Sequence, residues 1–362
     1  MPPLDTLPSP ALLVDRAKLA ANIAAMQAVC DRHGMELRPH IKTHKMVAVA
    51  RQQLAAGARG LTCAKLGEAE AMLPSGVDSV FVAHSLVDEA QARRITALVD
   101  RVRDFRVGVS SEAQAEALMR LAAAAGRKLA VMLAVDTGLG REGVRDIPAA
   151  QRLAARVHRS PRLELRGCYT HEGHCYGAAR DERVRRAADV IERLCSARDA
   201  IDAGLAAWPG CSASAELIAQ ASAGRVQAVR PGAYVFGDLS LTRGSGVMTS
   251  DAVGLHVMAT VVDLPEPGLA LIDAGSKTFS SDRTPDGISA LAADGRDLAV
   301  VRVNEEHGYV RGNAVSKLRV GERVVFTPAH VCTVINLADE VSVVEDGKLV
   351  DRWPIEARGR TR

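Results

Sequence analysis

The feature that most constrains the fold is a regular alternation of short apolar runs with alanine-rich segments of helical spacing. Eight apolar runs alternate with such segments within about the first 230 residues, a length and pattern typical of a (β/α)8 barrel. The runs span residues 36–41, 60–64, 79–84, 105–109, 129–136, 163–170, 206–211 and 226–230. Helices are predicted at 16–33, 45–57, 66–73, 86–99, 111–125, 148–158, 181–204 and 214–223, the first of them capped by Asp15.

A doubly wound open sheet has the same alternation, so periodicity alone leaves it open. No Gly-x-Gly-x-x-Gly follows the first strand, and its absence disfavours a dinucleotide-binding fold. Runs that lack polar alternation suit strands buried on both faces. We therefore predict a (β/α)8 barrel of the TIM type.

The residue composition changes after about residue 240, where the helical pattern fades and Val, Thr, Gly and Pro dominate. Strands are predicted at 253–263, 269–273, 298–303, 323–327, 340–345 and 348–352. The segment 242–246 is predicted to be a linker. Residues 1–245 thus form the predicted barrel domain, although residues 1–14 can add a strand to the other domain, and residues 246–362 form a mostly β C-terminal domain.

Composition limits the partners and the compartment. The net charge is +3 and aromatic residues make up only 3%, which does not suggest nucleic-acid binding. The seven cysteines are scattered without a CxxC pair, a usage typical of a reducing compartment. No signal peptide or membrane-spanning run is evident. We expect a cytoplasmic protein whose basic tail, residues 358–362, is a solvated end.

Polar residues stand at the ends of most predicted barrel strands, where barrel enzymes place their chemistry. They are Lys42, His84, residues 136–141, His171, residues 211–214 and Arg230. Lys42 ends the first strand, and a packed lysine there can serve as a nucleophile toward a carbonyl. A basic surface turn is the alternative for this stretch. Lys45 is predicted to lie in the following helix as a surface charge or as a charge behind the site.

The order of the motifs resembles the D-threonine aldolase and D-serine dehydratase family of fold-type III pyridoxal phosphate enzymes, which are related to alanine racemase. The resemblance is carried by residues 9–15, 38–45, 63–70, 136–138 with Arg141, 230–236, 273–275, 306–308 and 330–332. These segments span nearly the whole chain in family order. The resemblance implies a homodimer that binds pyridoxal phosphate and a small β-hydroxy D-amino acid.

The resemblance also implies roles for individual residues. Lys42 would carry the cofactor as a Schiff base and then remove the substrate α-proton. The other cofactor-binding positions are Tyr169 and His171 at the ring, Arg141 at the phenolic oxygen, Arg230 at the pyridine nitrogen, and Gly210, Ser212, Ser214, Gly232 and Ala233 around the phosphate. Two alternatives remain open: Arg141 can pair with Asp136 or Glu142, and Ser214 can be the N-cap of the next helix.

His330 and Cys332 form a His-x-Cys pair, predicted on a strand, whose donors suit Zn²⁺. In the family the equivalent pair binds Zn²⁺ or another divalent metal such as Mn²⁺; it is His-x-Cys in D-serine dehydratases and His-x-Asp in D-threonine aldolases. Without the resemblance, a buried cysteine beside a loop histidine is the simpler interpretation. Residues 176 and 177 are Tyr and Gly, as in the dehydratases, where the aldolases have Gln-His.

The predicted function is therefore a lyase that dehydrates and deaminates a β-hydroxy D-amino acid to a 2-oxo acid and ammonia. Retro-aldol cleavage to glycine and an aldehyde is the alternative. A racemase is less favoured because Tyr309 is the only tyrosine of the C-terminal region. A non-enzymatic pyridoxal phosphate carrier is also less favoured, because such proteins resemble the barrel alone.

Overall fold

A computed structural model describes residues 6–362. The chain divides into two compact units. The barrel unit contains Ala24–Lys42, Val47–Gly232 and Arg360–Arg362, and the β unit contains residues 6–23, Thr43–Met46 and Ala233–Gly359. No helix in the described part of the chain has an apolar stretch long enough to cross a bilayer.

The helices and strands follow in chain order. The strands are β1 Ala11–Asp15, β2 Glu36–Leu37, β3 Leu61–Cys63, β4 Ser79–Ser85, β5 Asp104–Val109, β6 Leu129–Ala134, β7 Leu163–Tyr169, β8 Ala206–Trp208, β9 Ala228–Val229, β10 Leu255–Glu266, β11 Leu269–Ile272, β12 Ala290–Ala292, β13 Ala299–Val303, β14 Gly308–Arg311, β15 Arg323–Pro328, β16 Glu340–Glu345 and β17 Lys348–Pro354. The helices are α1 Arg16–Arg32, α2 Val47–Ala55, α3 Leu66–Met72, α4 Ala92–Val99, α5 Glu112–Ala125, α6 Ile147–His158, α7 Arg180–Asp199, α8 Ala215–Ala221, α9 Ser276–Phe279 and α10 Val331–Leu337.

Eight parallel strands close into a barrel, which confirms the predicted fold. Strands β3 to β8 form one parallel sheet, and β2 pairs in parallel with β9. The amide of Thr62 donates to the carbonyl of Pro39 (2.8 Å) and links β2 to β3. The amide of Gln227 donates to the carbonyl of Ala207 (3.2 Å) and links β8 to β9. Strands β2 and β9 are shorter than predicted because Pro39 and Pro231 follow them, and proline cannot donate to a ladder.

The barrel interior is filled by aromatic rings and by arginines stacked on one of them. The ring of Phe81 meets the Tyr169 ring edge-on at 4.9 Å between centroids. The indole of Trp208 is buried, and the guanidinium carbons of Arg38 and Arg106 lie 4.3 and 4.5 Å from its ring centroid. Buried cation–π contacts of this kind stabilise a fold by about 1–2 kcal/mol each. The interior of the barrel is thus a packed core.

Helix starts follow the sequence signals. The amide of Lys18 donates to the Asp15 carboxylate (3.0 Å), as predicted for a cap of α1. The Ser111 hydroxyl and the Asp146 carboxylate accept from the third residue of α5 and α6, respectively. Such caps satisfy amides that have no partner within the helix. Gly126 ends α5 at a φ of 64°, a conformation that favours glycine.

The β unit is a nine-stranded sheet that confirms a mostly β C-terminal domain. Strands β10, β11, β14, β13, β12 and β15 form a closed ring, because β10 pairs with both β11 and β15. Strands β1, β16 and β17 extend from it, with β1 antiparallel to β10 and parallel to β16. The short strands β12 and β14 were not predicted, because three or four residues are too few to show a period.

The tail, residues 358–362, is exposed as predicted, although the Arg362 carbonyl accepts from the Gly67 amide (2.9 Å) and from Arg94 (3.0 Å). Three local predictions are wrong. Residues 242–246 are not a linker between the two units, since Ser240–Gly244 forms a π-helical turn within the β unit. Lys45 is buried at a φ of 57° before α2 begins, with its Nζ 3.5 Å from the Ala357 carbonyl. Cys332 lies in the first turn of α10 rather than on a strand.

Candidate active site

A cavity of about 400 Å³ opens at the C-terminal ends of the barrel strands. Its volume lies within the range of small-ligand pockets. It is lined by His40, Lys42, Ala64, Ala83, His84, Arg141, Glu142, Tyr169, His171 and Arg230. Five of the sequence-predicted site residues, Lys42, Arg141, Tyr169, His171 and Arg230, are therefore brought together in one cavity.

Lys42 lies in the 3-10 turn Ile41–Thr43, directly beyond β2. The turn begins after His40, whose amide still donates to the Pro231 carbonyl (2.9 Å). Its backbone amide is 3.4 Å from Nδ1 of His40, at the long end for a hydrogen bond. The side chain is half-buried and lines the cavity. An amine in this position is accessible to a small carbonyl compound bound in the barrel mouth.

His171 is held in one tautomer. Its Nδ1 lies 2.5 Å from the carbonyl oxygen of Gly210, and a carbonyl can only accept, so Nδ1 carries the proton. Burial lowers the pKa of His171 to about 3, and the positive charge of Lys42 contributes to this lowering. The imidazole is therefore neutral at physiological pH, and its Nε2 carries a lone pair.

Arg230 is buried on the floor of the cavity. Its Nε donates to the Trp208 carbonyl (3.3 Å) and its Nη2 donates to the Thr170 carbonyl. Burial lowers the pKa of Arg230 to about 10, so the guanidinium keeps its charge at neutral pH. A Cβ on Gly210 would lie 2.8 Å from the guanidinium carbon of Arg230. A larger residue at position 210 would therefore displace the Arg230 side chain.

The loop of residues 210–214 is tied to a buried carboxylate that the sequence did not indicate. Glu172 has no exposed surface, and it accepts from the Gly210 amide (3.0 Å) and the Ser214 hydroxyl (2.8 Å). Burial raises the pKa of Glu172. Ser214 precedes α8, but its side chain does not cap that helix. Two donors that were predicted to face a phosphate are thus directed to Glu172.

Ser212 retains a hydroxyl proton to donate. Its Oγ accepts from the Gly232 amide (3.1 Å), which leaves the O–H free to point to a further acceptor. Ser212 and Gly232 are both buried. Ala233 is also buried and begins the 3-10 turn Ala233–Val235 of the β unit. The structure therefore brings Ser212 and Gly232 together.

Arg141 is exposed at the cavity rim, in a glycine-rich loop shaped by Asp136. The Asp136 carboxylate accepts from the amides of Gly138 and Gly140 (3.1 Å each) and lies 3.4 Å from Arg145. These contacts lower the pKa of Asp136 further than burial raises it. The predicted alternatives for Arg141 are occupied by other groups, because Asp136 pairs with Arg145 and the Glu142 carboxylate accepts from the Ser85 hydroxyl (2.7 Å).

Tyr169 contributes a ring edge to the cavity but belongs to the barrel core. Its hydroxyl donates to the Ala83 carbonyl (3.3 Å), and burial raises the pKa of the phenol. Gly108 makes room for this ring, because a Cβ there would overlap the phenol oxygen. The phenol is therefore a packed, protonated group.

The β unit holds His330 and Cys332 in a second polar cluster. Nδ1 of His330 lies 3.0 Å from Oδ2 of Asp238, and the Thr43 hydroxyl lies 3.2 Å from Sγ of Cys332. Burial lowers the pKa of His330, but the charges and hydrogen bonds of Cys332 and Asp238 outweigh it and raise the pKa to about 11. The cluster thus favours a positive charge at His330.

The residues present fit both groups that the resemblance implies. The cavity offers an amine, a neutral imidazole and two guanidinium groups around an open volume, and Gly210 leaves Arg230 space that a Cβ would fill. For a metal, imidazole and thiol are the donors that zinc prefers. Among residues 6–362, no group of three or more His, Cys, Asp and Glu side chains is arranged to hold a metal ion.

Sequence analysis gave no role to three polar residues whose hydrogen bonds organise these clusters: Glu172, Asp238 and Thr43. Glu172 lies beside His171 in a polar run, and its burial is the only property that distinguishes it from its neighbours. Asp238 follows Gly237 without any metal-ligand spacing. Thr43 follows Lys42, and its proximity to Cys332 has no sequence signal. The polar character of these stretches was visible, but the partners were not.

The chain matches two protein-family models. The model "Alanine racemase, N-terminal domain" matches residues 14–240, and the model "Putative serine dehydratase domain" matches residues 254–344. The first match alone covers more than half of the chain.

Curated relatives and solved structures agree with these matches. D-threonine aldolase from Arthrobacter sp is 32% identical over 99% of this chain and 95% of the relative. The structure of D-threonine aldolase from Filomicrobium marinum has a TM-score of 0.90 and 28% identity, over 99% of this chain and 98% of that one. D-threo-3-hydroxyaspartate dehydratase from Delftia sp. (strain HT23) is 31% identical over 90% of this chain and 91% of the relative.

Two solved variants of D-threo-3-hydroxyaspartate dehydratase replace a cysteine and a histidine, respectively, by alanine. The two positions are separated by one residue, as His330 and Cys332 are, and the cysteine variant is described as a metal-free form. Their TM-scores are 0.88 and 0.87 at 29% identity, over 98% of this chain and 99% and 96% of theirs. The family identified from the sequence motifs is confirmed: the chain belongs to the D-threonine aldolase and D-serine dehydratase family of fold-type III pyridoxal phosphate enzymes.

Proposed function

We propose that the protein is a pyridoxal phosphate- and divalent-metal-dependent lyase that dehydrates and deaminates a β-hydroxy D-amino acid. The class of reaction is supported by the relatives, which are aldolases and dehydratases of such substrates by name. The choice of dehydration rests on one observation, the pairing of His330 with Cys332 beside the buried Asp238. A dehydratase among the relatives has a histidine and a cysteine at the same spacing.

The barrel residues would act on the cofactor end of the substrate. When bound, pyridoxal phosphate withdraws electrons from the substrate Cα and so acidifies its hydrogen. Lys42 anchors the cofactor through its amine and, once released, takes the α-proton at Nζ. Arg230 keeps its own proton and would act toward the cofactor ring nitrogen only as a hydrogen-bond donor. His171 stays neutral because burial and the charge of Lys42 lower its pKa, while the bond from its Nδ1–H to the Gly210 carbonyl fixes the tautomer.

The phosphate would be held by the remaining donors of the barrel loops. Ser212 offers its hydroxyl proton, and Gly232 fixes that hydroxyl by donating to it. Gly210 and Ser214 shape the loop through Glu172. We also assign Arg141, at the rim of the cavity, and Ala233 to cofactor binding. Tyr169 contributes a packed ring that lines the cavity. Glu172 acts on the site through the loop.

A metal at His330 and Cys332 would polarise the β-hydroxyl and make it a feasible leaving group. We favour Zn²⁺ over Mn²⁺ because a thiolate is a soft ligand. The balance is simple: the α-hydrogen and the β-hydroxyl leave as one water, and one water is then taken up as the amine is replaced by oxygen. The products are a 2-oxo acid and ammonia, with no net oxidation.

Retro-aldol cleavage is the second candidate. It is favoured by the D-threonine aldolase of Arthrobacter sp, which is 32% identical across nearly the full length. The two reactions share the cofactor and the metal and differ in the bond that breaks, Cβ–O or Cα–Cβ. Cys332 in place of an aspartate is the reason to rank dehydration first.

The organisation of the protein follows the family. We propose a cytoplasmic homodimer that binds only small molecules, with the cofactor in the barrel unit and the metal in the β unit. The dimer is testable by sedimentation of the cofactor-loaded protein.

Product analysis decides between the two reactions. The cofactor-loaded protein is incubated with D-serine, D-threonine and D-threo-3-hydroxyaspartate, and with the L-forms, before and after chelation and after zinc is restored. Dehydration predicts a 2-oxo acid and ammonia from D-substrates, lost on chelation and regained with zinc. Glycine and an aldehyde would establish the second candidate instead. Full activity after chelation would refute the metal assignment.

A matched pair of variants connects the metal to its ligands. Cys332→Ala removes the proposed ligand, and Cys195→Ala removes a buried thiol of α7 that has no role in either cluster. Bound zinc, measured by elemental analysis after dialysis, should fall in the first variant and stay stoichiometric in the second. Equal zinc content in both variants would contradict the assignment of Cys332.

A further inference from the structure

Asp238 is a buried carboxylate of the β unit that accepts four hydrogen bonds. It has no exposed surface, and these four donors are a serine hydroxyl, an imidazole and two backbone amides. Oδ1 accepts from the Ser240 hydroxyl (2.5 Å) and the Leu241 amide (3.1 Å). Oδ2 accepts from Nδ1 of His330 and from the Val331 amide, both at 3.0 Å. Burying an isolated carboxylate is costly, and these four hydrogen bonds offset that cost.

The two oxygens hold two different pieces of chain. Oδ1 fixes the carboxylate to its own π-helical turn, Ser240–Gly244. Oδ2 reaches 92 residues along the chain to the His330 ring and to the first amide of α10. The same helix carries Cys332 in its first turn. One carboxylate therefore sets the orientation of the imidazole and the start of the helix that presents the thiol.

The bond to Oδ2 also selects the atom that His330 can offer. A carboxylate accepts, so Nδ1 keeps its proton, and Nε2 is the nitrogen that can exchange its proton for a metal ion. Histidine ligands of metals commonly give their second N–H to a carboxylate, which fixes the tautomer and makes the ring a better donor. Here the carboxylate is already held by two bonds from its own turn, so the arrangement exists before any metal arrives.

We propose that Asp238 is the positioning residue of the divalent metal site: it holds His330 with Nε2 directed to the metal and sets the helix turn that carries Cys332. This inference rests on the proposed metal site at His330 and Cys332. It adds a residue that does not touch the metal and yet determines how tightly the metal is bound.

Zinc titration of the chelated, cofactor-loaded protein tests the inference. Asp238→Asn removes the charge and turns an amide N–H₂ toward at least one of four donors. The expected result is zinc binding weaker by about 10- to 100-fold, the range measured when such outer partners are changed. The competing chelator is a chromophoric one, so that the dissociation constant is read directly.

Asp282→Asn is the matched control. The Asp282 carboxylate accepts from the Thr333 hydroxyl at 2.7 Å, so it also contacts α10 but does not touch His330. If Asp238 served only to hold α10, both variants would weaken zinc binding alike. We expect weaker zinc binding in Asp238→Asn alone. The melting temperatures of both metal-free variants are compared to show whether either substitution destabilises the fold.

Two further outcomes separate the inference from the function on which it rests. If His330→Ala loses zinc while Asp238→Asn binds as tightly as the wild type, the inference is wrong and the metal site survives. If His330→Ala also binds zinc like the wild type, the metal site itself is wrong.

A measurement on the wild type covers the case in which Asp238→Asn does not fold. In ¹⁵N-histidine spectra of the zinc-loaded protein, His330 should have a metal-bound Nε2 and a protonated Nδ1. A metal-bound Nδ1 would overturn the inference without any substitution.

Discussion

Glu172 gives the sharpest test of how the barrel loops are built. Glu172→Ala removes the acceptor of the Gly210 amide and the Ser214 hydroxyl, two donors in a site without exposed surface. Each buried donor left without a partner costs about 1–3 kcal/mol. Part of this cost is returned because a charge no longer has to be buried. We expect the free energy of unfolding of the cofactor-free protein to fall by about 2–4 kcal/mol.

The same substitution should weaken cofactor binding, because the loop of residues 210–214 loses its shape before the phosphate arrives. Urea unfolding measures the stability, and titration with pyridoxal phosphate measures the affinity, which should fall at least about tenfold, a change worth about 1.4 kcal/mol. Glu172→Gln keeps one acceptor oxygen and should lie between wild type and alanine in both assays.

Glu192→Ala is the control for Glu172→Ala. Glu192 is an exposed carboxylate of α7 that pairs with Arg225, and exposed pairs contribute little to stability. It should leave both measurements near the wild-type values. If Glu172→Ala behaves like this control, the carboxylate does not organise the loop and the reasoning is refuted.

Three further predictions address other parts of the barrel. Folding lowers the pKa of His171 to about 3 from an unfolded value of 6.5, so its contribution to stability is present above pH 6.5 and is lost as the pH falls toward 3. Between pH 6.5 and 5 the free energy of unfolding should therefore fall by about 2 kcal/mol more in the wild type than in His171→Gln. Urea unfolding at several pH values measures this difference, and the same pH dependence in both proteins would contradict the prediction. Gly210→Ala should displace the Arg230 guanidinium, whose carbon would lie 2.8 Å from the new Cβ, and lower stability by about 1–3 kcal/mol together with cofactor affinity; an unchanged crystal position of Arg230 would refute the clash. Trp208→Ala should lower the free energy of unfolding by about 3–5 kcal/mol, because the indole fills the barrel between two guanidinium groups; a loss below 1 kcal/mol would show that the stacking contributes little.

The barrel was predictable from the sequence because its strands are buried on both faces and leave uninterrupted apolar runs. The rim was predictable for a related reason: a polar residue that ends such a run must lie at the mouth, and Lys42, His171 and Arg230 all line the observed cavity. Even the shortness of β2 follows from Pro39, although the prediction extended that strand to residue 41.

The supporting residues were not predictable because their partners are distant in the chain. Glu172 bonds to an amide 38 residues away, and Asp238 bonds to an imidazole 92 residues away. Contacts between residues so far apart in the chain produce no periodic pattern in the sequence. Lys45 was misjudged for a related reason: a charged residue in a basic stretch is normally exposed, but here the backbone of Ala357 both donates to its carbonyl and accepts from its Nζ.

The most direct test of the account is to find the lysine that carries the cofactor. The protein is loaded with pyridoxal phosphate, reduced with borohydride and digested, and the modified peptide is sequenced by mass spectrometry. The account predicts a single pyridoxyl group on Lys42, absent from Lys42→Ala protein. A pyridoxyl group on Lys45 or Lys65, or an unmodified Lys42 in an active enzyme, would contradict the assignment of the active site.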